Sequence, residues 1–175
     1  MLSFLDPLLP LWGVCEYPRD LPSSARLPEG AKRVVAAAFP YRLLEEFYAG
    51  RNISRYAVPR DYHAVCGGCL EHACVLLRAA YLGEEFIWFC DNSPLPEVEL
   101  AQRAGLGVRG RHNLLITEQY GSWVFLGEIV TSAKLIVNCP PSGHGSCAAL
   151  YTVNCQLLTS PSPQHPRPPR SASPG

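Results

Sequence analysis

A mixed α/β sandwich is the fold the sequence predicts, and three observations predict it. The runs RVVAAAF, Arg33 to Phe39, and EFIWFC, Glu85 to Cys90, are short and apolar and end at turn residues, as buried strands do. Between them Val65, Cys69, Ala73, Leu76, Leu77 and Ala80 recur at helical spacing. Beyond Cys90, Asn113 to Thr117 and Ser122 to Val130 are two further runs joined by Glu118-Gln119-Tyr120-Gly121, the pattern of a hairpin. Strands that first alternate with helices and later pair antiparallel favour a mixed sheet under helices over a doubly wound sheet.

Taken in order, the opening MLSFLDPLLPLWGVC reads as a packed helix and entry loop. It is apolar but lacks the basic start of a signal peptide, and Asp6, Pro7 and Pro10 interrupt it. Residues up to Pro28 read as irregular, because prolines recur too often for a long helix. Pro40 is expected to stop the first strand, and 52–60 is expected to be a loop. Asp61 suits a helix N-cap, with the helix running to about Tyr81 and Gly83 ending it. Gly67 and Gly68 weaken that helix. A short helix follows from Pro96 to Ala104, stopped by Gly105. Lys134 to Val137 is expected to be a last short strand, and no internal repeat is visible.

With 175 residues, 47% of them apolar and 17% charged, the chain has the size and make-up of one globular domain. Its formal net charge is zero, which disfavours a partner held by phosphate neutralisation alone. A local basic face from Arg55, Arg60, Arg103, Arg109 and Arg111 is the remaining route to nucleic acid. No run of about eighteen apolar residues is present, so no membrane span is expected. The chain is expected in the cytoplasm, where its eight cysteines belong to burial or metal ligation rather than disulfides.

The most informative segment is CDNSPLPEVELAQRAGLGVRGRHNLLIT, Cys90 to Thr117. Asp91 sits where a buried strand ends, a position that faces a pocket mouth in many α/β folds and suits a general acid. Capping the following helix is the equally weighted alternative. Gly105, Gly107 and Gly110 do not fit a dinucleotide fingerprint, and a helix stop with a tight connection accounts for them. In NISRYAVPRDYH, Asn52 to His63, Arg55 and Arg60 suit anionic groups, and Tyr56 and Tyr62 suit the faces of a flat ligand. YGSWVFLGEIV, Tyr120 to Val130, reads as a core strand.

Together and in order, AFPY, NISRYA, DYH, DNSP, AGLG, LLIT and YGSWVFLGEIV resemble the N-terminal domain of epoxyqueuosine reductases, cobalamin-dependent iron–sulfur enzymes of tRNA modification. The likeness covers roughly Leu27 to Val137. It implies a fold like the α/β core of reductive dehalogenases and flavin nitroreductases. It also implies that Asp91 lies over cobalamin and gives the proton when an epoxide is reduced to an alkene. Ser54 and Arg55 would lie beside the corrin, and Leu115, Ile116, Thr117 and Leu126 would line the same pocket. The implied partner is the anticodon region of a tRNA, and the implied cofactors are cobalamin and [4Fe–4S] clusters.

The chain departs from that pattern where the ferredoxin-type run C-x2-C-x2-C-x3-C-P is due. Gly145-Ser146-Cys147 is present, but Leu150, Val153 and Asn154 stand where ligands belong, leaving Cys139, Cys147 and Cys155 eight residues apart, with His144 as a low-ranked fourth ligand. The expected organisation is a cobalamin-binding domain over residues 1–138, a remnant of the cysteine motif over 139–158 and a Pro/Ser-rich tail over 159–175. The tail's composition suits disorder and a translated frameshift alike. One alternative is a corrinoid-binding fragment that needs an external electron donor. Another is a small thiol or zinc protein built on Cys66, Cys69 and Cys74, against which burial of these cysteines in the core is the favoured reading.

Overall fold

The chain alternates two kinds of apolar environment along its central strands, and the architecture follows from that alternation. The computed structural model describes residues 2–18, 26–41, 50, 52, 54–57 and 61–137. Cys139, Cys147, Cys155 and the 159–175 tail therefore lie outside the described residues, as do Arg60 and the side chain of Arg55. The strands are β1 (Leu11–Glu16), β2 (Arg33–Pro40), β3 (Phe86–Cys90), β4 (Val108–Arg109), β5 (Leu115–Ile116) and β6 (Val124–Thr131). The helices are α1 (Tyr62–Ala80) and α2 (Glu97–Arg103).

Four strands form one sheet in the order β1-β2-β6-β3, and β4 and β5 form a separate two-stranded ribbon. Every pairing in the sheet is antiparallel. The α/β sandwich expected from sequence is thus present, while its sheet is antiparallel throughout rather than mixed. In β2, Val35, Ala37 and Phe39 face a cluster with Leu70, Ala73 and Leu77 of α1. Val34, Ala36 and Ala38 face a second cluster with Leu100, Ala101 and Ala104. A strand buried on both faces reads as a continuous apolar run, which is why β2 was visible in the sequence.

Helix α1 presses closely on the sheet. A Cβ at Gly127 would lie 2.7 Å from the Leu70 side chain, so only glycine fits the central strand there. At Gly67 the Trp88 ring would lie 3.1 Å from an added Cβ, so this glycine is a packing surface for β3 and does not break the helix.

Four expectations differ. The edge strand β1 falls in a stretch read as irregular; its Gly13 passes under the Ala104 carbonyl, a tertiary contact that leaves no local trace. Pro40 ends β2 from within the strand, because β1 begins at Leu11, opposite Ala38, and one flank of Pro40 has no ladder to break. The hairpin expected between 113–117 and 122–130 is not formed. Instead β5 pairs with β4, and only the bridge Thr117–Gly121 closes the turn into β6. Residues 134–137 are not a strand.

Candidate functional site

At its C-terminal end β3 delivers Asp91 in a left-handed backbone conformation, φ 71°, which is uncommon for a side chain other than glycine. The turn carries the chain off the sheet and leaves the Asp91 side chain 64% exposed. Asp91 does not cap the next helix: the N-cap of α2 is Pro96, and no side chain caps it. Of the two sequence readings, capping is therefore excluded.

The N-terminus of α1 meets Asp91. Asp61 caps that helix by accepting the His63 backbone N–H at 3.0 Å. The same carboxylate oxygen lies 2.9 Å from His63 Nδ1, and His63 Nε2 lies 3.3 Å from Asp91 Oδ2. The result is a string of carboxylate, imidazole and carboxylate across two elements. Hydrogen bonds to Asp61 and then to Asp91 hold His63 above the usual imidazole range, and the same contact holds Asp61 below the usual carboxylate range. Behind His63, Tyr62 stacks on Phe125 with centroids 4.0 Å apart, and Phe125 on Tyr41 at 4.4 Å. Burial, and then the Asp91 charge, push the Tyr62 phenol up to about 12, so Tyr62 stays neutral.

The loop carrying Asp91 is anchored on two sides. Arg26 donates to the Asn92 carbonyl at 2.6 Å while lying over the Phe89 ring. The Ser93 hydroxyl donates to Glu128 and accepts from Leu95 N. Glu128 sits on central strand β6 between Ala36 and Phe89 and is only 1% exposed. Burial pushes its carboxyl up to about 8, against the lowering effect of the Ser93 hydrogen bond. Glu97 opens α2 nearby; burial and the Asp91 charge raise it, and its Oε1 has no hydrogen-bond partner among the described residues. Beside Asp91, the free thiols of Cys66 and Cys90 interact by hydrogen bonding, which raises the Cys66 thiol and lowers that of Cys90.

The residues singled out from sequence fall unevenly. Leu126 lies at the sheet end that Asp91 leaves: Cys90 pairs with Gly127, and Cys90 Sγ approaches the Leu126 carbonyl at 3.8 Å. Ser54 is exposed, and Arg55 opens a short 3-10 turn, Arg55–Ala57. Leu115 is buried, and Ile116 is partly open on the ribbon. Thr117 is buried, its hydroxyl donating to Gly121 O and accepting from Tyr120 N. Cys66 and Cys74 are fully buried in the α1 cluster, as the core reading of those cysteines expects. Asp61 caps α1 as the sequence reading expects, whereas His63 and Glu128 were not assigned roles from sequence. A lone carboxylate inside the apolar run VFLGEIV was the available signal for Glu128.

A corrin needs an apolar bed, and the ribbon offers one. Val108 pairs with Ile116, so both lie on one face, and Val108, Leu114 and Ile116 are 61%, 51% and 39% exposed. Gly107 and Gly110 leave this ribbon no room for further side chains: an added Cβ would lie 2.3 Å from Ile116 O and 2.4 Å from the His112 ring respectively. The residues present fit such a group.

The antiparallel sheet under two helices, with Asp91 exposed on the turn that ends β3, defines an α/β domain whose family the comparisons give. The family model described as Epoxyqueuosine reductase QueG, DUF1730, matches residues 23–92, ending one residue past Asp91. A curated epoxyqueuosine reductase of Gloeobacter violaceus is 40% identical over 121 residues, 67% of this chain and 38% of the relative. A crystal structure of an epoxyqueuosine reductase with an epoxyqueuosine-modified tRNA-Tyr stem loop superposes with TM-score 0.61 at 19% identity, covering 83% of this chain and 48% of the other. A reductive dehalogenase structure, described as suggesting a mechanism for B12-dependent dehalogenation, gives 0.56 at 19% identity, covering 83% and 20%. At such identities these two structures speak for the fold. The chain is an epoxyqueuosine reductase-like protein, and it spans less than half the length of the curated relatives it matches. Among the described residues no helix is long and apolar enough to cross a membrane.

Proposed function

We propose that this chain carries the cobalamin-binding, acid-bearing domain of an epoxyqueuosine reductase-type oxidoreductase acting on tRNA, with Asp91 as proton donor. The observation that carries this reading is the Asp91 carboxylate, presented to solvent on a left-handed turn and backed by His63. Reduction of an epoxide to an alkene takes two electrons and two protons and releases water. Cobalamin, when bound and reduced, supplies the electrons at the epoxide carbon. The protein's own task is then to protonate the departing oxygen, which Asp91 is placed to do.

Leu126 lies at the sheet end that Asp91 leaves, and Ile116 lies on the apolar ribbon. With Leu115 and Thr117 behind them and Ser54 and Arg55 beside the corrin, these residues form the proposed cofactor pocket. Exposed Arg109 and Arg111 at the ribbon's tip supply a basic edge for the tRNA backbone. That partner is suggested by the stem-loop complex of the similar structure. Cys139, Cys147 and Cys155 fall short of the four thiols of a [4Fe–4S] site, so the low-potential electrons come from a donor other than these three cysteines.

The test is retention of cobalamin by the full chain after gel filtration, read by the visible spectrum beside a thermal melt. A retained corrin on a cooperatively melting protein is the expected result. A cooperative melt with no corrin retained contradicts the cofactor assignment.

A further inference from the structure

Imidazole is the side chain that takes up and gives back a proton near neutral pH, and one stands beside Asp91. His63 Nε2 lies 3.3 Å from Asp91 Oδ2, and Nδ1 lies 2.9 Å from Asp61 Oδ1. With both aspartates ionised, an imidazolium meets the two carboxylates by donating from both ring nitrogens. Asp61 is itself fixed, because the same oxygen caps α1 through the His63 amide.

We infer that His63 stores the proton that Asp91 delivers, so that the acid of the site at neutral pH is the His63–Asp91 pair and not Asp91 alone. The inference rests on the epoxide-reducing reading above. The Nε2 proton passes to Asp91 Oδ2, and the carboxyl so formed gives that proton to the epoxide oxygen and returns to carboxylate. His63 is left neutral, and water, which reaches its 54% exposed side chain, returns the proton. His63 is thus a positioning residue that acts through Asp91. The groups facing it are Asp61 and Tyr62 from its own helix and Cys90 and Asp91 from β3. The two aspartates favour the imidazolium, and Tyr62 stays neutral. Because the proton is on His63 below its titration point and absent above it, delivery should fade as pH rises through that point.

Two readouts test this on the full chain. The first is the His63 ring titration by long-range 1H–15N NMR in wild type, Asp91→Asn and Asp61→Asn. His63 should titrate above the ordinary imidazole value in wild type and move down in each variant. The second is the pH profile of conversion of an epoxyqueuosine-bearing stem loop by the cobalamin-loaded chain with titanium(III) citrate. The rate should fall about ten-fold per pH unit above the His63 titration point, and His63→Gln should move that fall at least one unit lower. An unchanged His63 titration in Asp91→Asn, or a His63→Gln profile that overlays wild type, overturns the inference. A shifted titration with no wild-type conversion at any pH overturns the epoxide reading instead.

Discussion

Ser93 donates its hydroxyl to the carboxyl of Glu128, and through this bond the central strand of the sheet holds the loop that presents Asp91. The bond is worth more than its own energy to the site, because the loop is otherwise tied down chiefly by Arg26 at the Asn92 carbonyl. A buried carboxyl in that position has a consequence for pH.

Burial pushes Glu128 up to about 8, whereas a glutamate in the unfolded chain titrates near about 4.3. Below that lower value both states are protonated, and the favourable state of Glu128 is fully present. Between the two values the unfolded chain ionises and the fold does not, so stability is lost as pH rises until about 8. Glu128→Gln keeps an acceptor for Ser93 and removes the titration. Thermal melts should show the variant close to wild type at pH 5 and several degrees more stable at pH 8. A variant that keeps the wild-type slope between those pH values contradicts the assignment.

Two glycines should respond in opposite directions. Gly68 is an exposed position inside α1 with nothing within 4 Å of an added Cβ, so Gly68→Ala should stabilise by about 0.5–1 kcal/mol through helix propensity alone. At Gly127 the Leu70 side chain and the Phe89 carbonyl stand 2.7 and 3.2 Å from an added Cβ, so Gly127→Ala should destabilise by about 1–3 kcal/mol. Urea denaturation of both variants, read at matched slopes, checks the signs.

Asp61 serves two structures, and its substitutions should separate them. Asp61→Ala removes the cap of α1 and should cost about 0.5–2 kcal/mol, whereas Asp61→Asn retains a capping oxygen and should cost markedly less. Both variants lose the charge beside His63. Equal losses of stability in the two would place the stabilising effect in the charge rather than in the cap.

The sequence disclosed what local pattern determines. Helix α1 shows because Val65, Cys69, Ala73 and Leu77 repeat along one face, and β2 and β3 show because burial on both sides makes unbroken apolar runs. Strand β1 escaped because its glycine and its flanking prolines are explained only by Ala104 packing over it. Strand β5 falls within the run 113–117 read as a strand, but its partner β4 escaped, because the close approach of Gly107 to Ile116 is a contact between separated residues while AGLGVRG reads locally as a helix stop. At the site, Asp91 stood out at the end of a strand. Its partner His63 is 28 positions earlier, and only the antiparallel register and the packing of α1 bring the two together. Glu128 looked like one residue of a core strand, and its role follows from facing the loop from the α2 side.

The central claim, that Asp91 is the acid of an epoxide-reducing site, is tested most directly by one assay. The full chain is loaded with cobalamin and reduced with titanium(III) citrate. It is then given a tRNA stem loop bearing epoxyqueuosine, and loss of the epoxide oxygen is followed by mass spectrometry for wild type and Asp91→Asn. The account expects conversion by wild type and a rate lower by about 100-fold or more in the variant. Equal rates for the two proteins, or no conversion by a folded, cobalamin-loaded wild type, would contradict it.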